Sequence, residues 1–95
     1  MPIGTFEIEI HLPGAHSLKD KRSVLRGLKD GLRRHFNVSV AELDHQDLWQ
    51  RAVVGVAAIG PDRAYLEGLL ARAAAEAARL LAAEVATIAA VEIIE

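Results

Sequence analysis

Ninety-five residues at 10.3 kDa amount to a single domain spanning 1–95, since two domains would each be too small to bury a useful core. With 52% hydrophobic and 25% charged residues, the composition excludes a disordered or low-complexity chain, and the absence of cysteine excludes a disulfide scaffold, a thiolate zinc site and a cysteine nucleophile. The formal net charge of −2, taken alone, argues against a nucleic-acid binder.

The opening residues Met1 to Thr5 lack the basic segment of a secretory signal. Phe6, Ile8, Ile10 and Leu12 then alternate with Glu7, Glu9 and His11, the period-two pattern of a half-buried strand. Pro13-Gly14 stops it. Ser17, three residues before Asp20, starts a helix in the manner of a capping box, and Leu18, Leu25, Leu28 and Leu32 carry an amphipathic helix over residues 18–35. Val38 to Leu43 reads as a second strand, Asp44-His45-Gln46-Asp47 as a polar turn, and Leu48 to Ile59 as a third strand paired with the second in a hairpin. Its apolar run from Ala52 to Gly60 is too short to span a bilayer, so a cytoplasmic protein without membrane contact is expected. Gly60-Pro61-Asp62 is helix-start chemistry, residues 63–83 form the second helix, and Val85 to Ile94 is the last strand.

The order β-α-β-β-α-β, with right-handed crossovers, predicts an α+β ferredoxin-like sandwich: a four-stranded antiparallel sheet with both helices on one face. The other face stays open. It should carry Glu7, Glu9 and His11 from the first strand, and Trp49, Arg51, Val53 and Ala57 from the third, because the opposite phase would bury Arg51. The third and fourth strands read as apolar on both sides, and with no further layer in the chain a second copy is the natural cover. A homo-oligomer through the open face is therefore expected, with Trp49, Arg51 and Val53 at the interface.

The charge is unevenly distributed. Between Ser17 and His35 stand seven basic and two acidic residues, a balance of +5, which leaves −7 for the rest. Lys19, Arg22, Arg26, Lys29 and Arg33 recur at steps of three and four. At about 100° per residue they fall within an arc of about 80°, beside the leucine stripe. Five cations with no interleaved acid repel one another, unlike a mixed-sign solvated face. They form a candidate ridge for phosphates of RNA or the ribosome, weighed against a solvated face relieved by Asp20, Asp30 or acids of another copy. An open face bearing Glu7 and Glu9, with Trp49 the one residue able to stack, speaks against base readout of the RRM type.

The turn from Gly14 to Arg22, with Lys19 and Lys21 beside free helix N–H groups, is an alternative phosphate-handling site, although no Walker loop is present. Asp44, His45 and Asp47 cluster, but in a turn where Asp serves the backbone. Ser17, Ser23 and Ser39 lack a nucleophile-elbow context. No catalytic residue, metal site or cofactor is assigned, and the reading is a non-enzymatic binding protein. The alternatives are a protein–protein interaction module and a phosphate-handling enzyme at the Gly14–Arg22 turn.

Ser17-Leu18-Lys19-Asp20-Lys21-Arg22, Phe36-Asn37-Val38-Ser39-Val40-Ala41-Glu42 and Gln46-Asp47-Leu48-Trp49-Gln50-Arg51-Ala52 together make the chain resemble the YlxP-like family of small bacterial proteins, a domain of unknown function. The resemblance covers essentially the whole chain and implies a ferredoxin-like fold without bringing an activity or catalytic residues. Members are often encoded beside translation initiation and ribosome-binding factors, an association that implies contact with the ribosome or RNA.

Overall fold

A computed structural model describes residues 1–95. Strand β1 spans Ile3–His11, helix α1 Leu18–His35, strand β2 Ser39–Asp44, strand β3 Arg51–Ile59, helix α2 Arg63–Leu80, strand β4 Val85–Ile88 and strand β5 Glu92–Ile94. The strands form one antiparallel sheet in the order β2-β3-β1-β4, with β5 also paired to β1. This is the expected α+β, ferredoxin-like arrangement, and neither helix is long and apolar enough to cross a membrane.

The alternation in β1 resolves as expected: Phe6, Ile8 and Ile10 are buried while Glu7 and Glu9 are exposed. Helix α1 occupies residues 18–35 as its leucine spacing requires, and it buries Leu25, Leu28 and Leu32, each contributing about 1.5–3 kcal/mol by removal from water. Ser17 Oγ accepts from the Asp20 N–H at 3.1 Å, and Asp20 Oδ2 accepts from the His16 N–H at 2.9 Å, so the reciprocal cap reaches one residue further back than a standard capping box. Asp62 caps α2 through the Tyr65 N–H at 2.8 Å, and Leu66, Leu69, Leu70, Ala73 and Ala77 turn inward. These residues, with Leu12, Ala15, Val40, Ala52, Val54, Val56, Ala58 and Leu81, make one core of 19 side chains.

Helix α2 ends at Leu80 rather than at residue 83, where the chain turns, and two strands are also corrected. Strand β3 begins at Arg51 rather than Leu48, because the chain from His45 to Gln50 is held as a turn, with the Leu48 N–H on the His45 carbonyl at 3.0 Å. Trp49 therefore lies before the strand and not within it.

The fourth strand is broken. β1 pairs Ile8 with Ile88 but Thr5 with Glu92, so one extra residue is accommodated between β4 and β5 while the Ala89 N–H still reaches the Glu7 carbonyl at 2.9 Å. This bulge changes the inward phase from Ala86 and Ile88 to Val91 and Ile93. The apolar stretch there reflects two phases in succession as well as two apolar sides. An unbroken phase would have turned Glu92 inward.

Candidate functional site

The five cations of α1 lie where the helical spacing puts them. Lys19, Arg22, Arg26 and Arg33 are exposed and Lys29 is half-buried. None of the five has a carboxylate within ion-pair distance. Asp20, which could have relieved the ridge, accepts instead from the His16 N–H. Arg33 is partly a structural residue: its Nη2 donates to the Val40 carbonyl at 3.0 Å and ties the end of α1 to β2. Arg33, Arg34 and His35 also place positive charge at the negative end of the helix dipole.

Lys21 departs from this pattern. It is 1% exposed, and its ammonium group donates to the carbonyls of His45 at 2.7 Å and Arg51 at 3.2 Å, with that of Gln46 at 3.4 Å. Glu42 Oε2 lies 2.8 Å from the nitrogen, an ionic contact without hydrogen-bond geometry, and that oxygen has no hydrogen-bond donor of its own. Gln50 closes the same junction, its Nε2 donating to the Ala15 carbonyl at 3.2 Å while its own carbonyl accepts from the Leu12 N–H at 2.9 Å. The segments Ser17–Arg22, Phe36–Glu42 and Gln46–Ala52 thus meet at one end of the sheet, where they fasten the β2–β3 turn to the start of α1. Lys21 was legible as a buried residue. At about 100° per residue it falls between Leu28 and Leu32 on the helix wheel, inside the leucine stripe and about 120° from the centre of the basic ridge.

The turn before α1 gathers acids rather than converging cations. Its small cavity, about 160 Å³, is lined by Leu12, Gly14, Ala15, Asp20, Val24 and Glu84, and Lys21 is engaged elsewhere. A phosphate there would meet two carboxylates and find the Asp20 N–H already capped by Ser17. In the β2–β3 turn, Asp44 Oδ1 accepts from the His45 N–H at 2.7 Å, and His45 has a φ of 60°, so the acid and histidine do turn chemistry.

On the open sheet face Arg51 and Val53 stand as expected. Arg51 Nη2 lies 3.3 Å from Glu9 Oε1, and Val53 is half-buried in the register position opposite Glu9. Trp49, in the turn beside this face, is half-exposed next to exposed Leu48. A shallow trough of about 350 Å³ runs over β1, β2 and β3, walled by Thr5, Glu7, Ser39 and Leu43 over a floor that includes Gly55 and Ala57.

With this geometry in view, the comparisons with known proteins separate fold from activity. The designed protein Foldit4 superimposes at a TM-score of 0.52 and 14% identity, covering 99% of this chain and 96% of that one. A mutant of SnoaB, a cofactor-independent oxygenase from Streptomyces nogalater, gives 0.59 at 17% identity over 98% and 91%. A C-terminal segment of the alpha subunit of aIF2 from Pyrococcus abyssi gives 0.55 at 23% identity, over 93% of this chain and 48% of that one. At these identities the three share only the fold. The uncharacterized protein YlxP of Bacillus subtilis is 41% identical over 70 residues, which are 74% of this chain and 76% of that protein. Residues 3–90 match the family described as "Protein of unknown function (DUF503)", and the chain belongs to that family, as its three motif segments anticipate.

Proposed function

We propose that this protein is a non-enzymatic binding protein whose first helix contacts RNA, free or within the ribosome, through its phosphates. The observation that carries the reading is the ridge of Lys19, Arg22, Arg26, Lys29 and Arg33, which faces outward with no ion-pair partner in the chain. An unpaired cationic stripe is the electrostatic footprint of a polyanion site, and its contacts position the protein without reading bases. Lys19, Arg22 and Arg26 supply the most accessible charges, because Arg33 is partly committed to the Val40 carbonyl and Lys29 is half-buried.

Salt-dependent binding to purified ribosomal subunits and to protein-free rRNA tests the reading. A contact through four or five cations on unpaired RNA gives a log–log salt slope of about −3 to −3.5. The double variant Arg26→Glu/Lys29→Glu should weaken binding and flatten that slope. Unchanged affinity of the variant at low salt overturns the proposal.

The exposed Leu48–Trp49 pair, on a turn fastened by Lys21 and Gln50, favours a second reading, docking of a protein partner. Partners that survive nuclease treatment in a pull-down and are lost in Trp49→Ala support it.

A further inference from the structure

We propose that the open sheet face is the interface between two copies of this chain, related by a two-fold axis that lies in the interface and runs along the strands between Glu7 of β1 and Gly55 of β3. The inference is separate from RNA binding, because the basic ridge lies on the helical layer and stays exposed on both copies.

Three features of the face fit a second copy. The first is where the exposed apolar residues fall. Ile3, Ile59 and Ile94 cluster at one end of the face, the latter two at 50% and 66% exposure, and Val85 stands at 60% at the other end. A two-fold axis lying in the interface along the strands, between β1 and β3, lays the isoleucine end of one copy over that of the other, with Ile3 facing Ile59, so the two apolar clusters cover each other.

The second is shape. Glu7 and Gly55 are direct register partners, so a projecting side chain and a position with none sit side by side on neighbouring strands. An axis between them brings each Glu7 over the other copy's trough. There the hydroxyls of Thr5 and Ser39 are available to donate to the carboxylate, which prevents it from being buried without partners. Glu9 is already matched within its own chain by Arg51. A bump and a hollow equally spaced about one axis form a self-complementary surface, which an unlike partner would not require.

The third is area. The 31 strand residues, at about 3.3 Å each on strands about 4.8 Å apart, give a footprint of roughly 490 Å². Side-chain relief and the adjoining Leu48–Trp49 turn extend this toward the roughly 800 Å² per partner of a standard interface.

Sedimentation equilibrium of the full chain, from low micromolar to sub-millimolar concentration, tests the proposal. The expected mass is twice the 10.3 kDa of one chain. Ala57→Arg fills the trough with a charged side chain and should weaken association by about tenfold or more. Ile59→Lys, at the apolar end, should do the same. Ala71→Arg, exposed on α2, should leave the dimer intact. Circular dichroism and urea unfolding separate loss of association from loss of fold. A chain that stays monomeric throughout, including one that binds only an unlike partner, overturns the proposal. So does any assembly that persists in folded Ala57→Arg and Ile59→Lys.

Discussion

Lys21 Nζ sits 2.8 Å from Glu42 Oε2, with the lysine 1% exposed and the glutamate side chain 18% exposed, so an ion pair inside the molecule joins α1 to β2. The same nitrogen donates to carbonyls on both sides of the β2–β3 turn. Removing the ammonium would leave the carboxylate without its counter-charge and those carbonyls without their donor. Lys21→Met should therefore lower unfolding stability by about 3–5 kcal/mol in urea titration, despite the good packing of methionine. Glu42→Gln, which keeps an oxygen near the ammonium, should cost about 1–2 kcal/mol. A loss below 1 kcal/mol in Lys21→Met would show that the pair is dispensable.

Gly4 lies on the buried side of β1, where an added Cβ would overlap Leu70 Cδ1 in the core. Leu70 is fully buried and has nowhere to swing, so Gly4→Ala should cost about 1–3 kcal/mol by overpacking. Gly14, with nothing within 4 Å of the equivalent position, is the control, and its alanine variant should unfold near the wild-type midpoint.

The basic ridge makes the fold slightly less stable than its leucine stripe would allow. Arg22 and Arg26 stand one turn apart with no acid between them, and Arg26 also neighbours Lys29. Arg26→Gln should raise the melting temperature at low salt through relief of about 0.5 kcal/mol of repulsion, with the gain vanishing in molar salt. A lower melting temperature at low salt would reveal a stabilising partner for Arg26 and weaken the case for a free cationic surface.

On α2, the hydrogen bond from Arg79 holds the Glu76 carboxyl below its ordinary pKa, with the charges of Arg79 and His35 acting in the same direction. A carboxyl depressed in the folded state stabilises the fold above its unfolded pKa, and this contribution disappears as pH falls through the folded value. NMR titration should place the Glu76 midpoint below the ordinary value of a glutamate carboxyl. Glu76→Gln should be less stable than wild type at neutral pH, and the two should converge once the carboxyl is protonated. A gap that persists in strong acid would assign the effect to packing rather than charge.

Much of this architecture follows from local patterning. The extent of α1 is set by Ser17, the leucines and Phe36, all close in sequence, and the phase of β1 and β3 follows from not burying Glu7, Glu9 and Arg51. The contacts that were missed are long-range. Lys21 reads as one more cation of a basic helix until its azimuth is compared with the leucines. Even then, nothing in the sequence says that carbonyls 24 to 30 residues away will receive its protons. The late start of β3 has the same origin, since the turn that displaces Trp49 is fastened by those bonds. The cationic ridge was fully legible because helical spacing alone defines it, although the tie of Arg33 to Val40 depends on where β2 packs.

The extra residue between Ile88 and Glu92 makes the length of this short connection matter more than its composition. Ala89 and Ala90 are exposed, so many side chains would be tolerated there. Deleting one would remove the surplus residue and leave Val91 and Ile93 inward in a regular strand. Deleting both would rotate everything downstream by half a period, sending Val91 and Ile93 into water and Glu92 toward the leucines of α2. Homologous chains are thus expected to vary freely in the letters at these two positions and to tolerate the loss of one of them, but not of both.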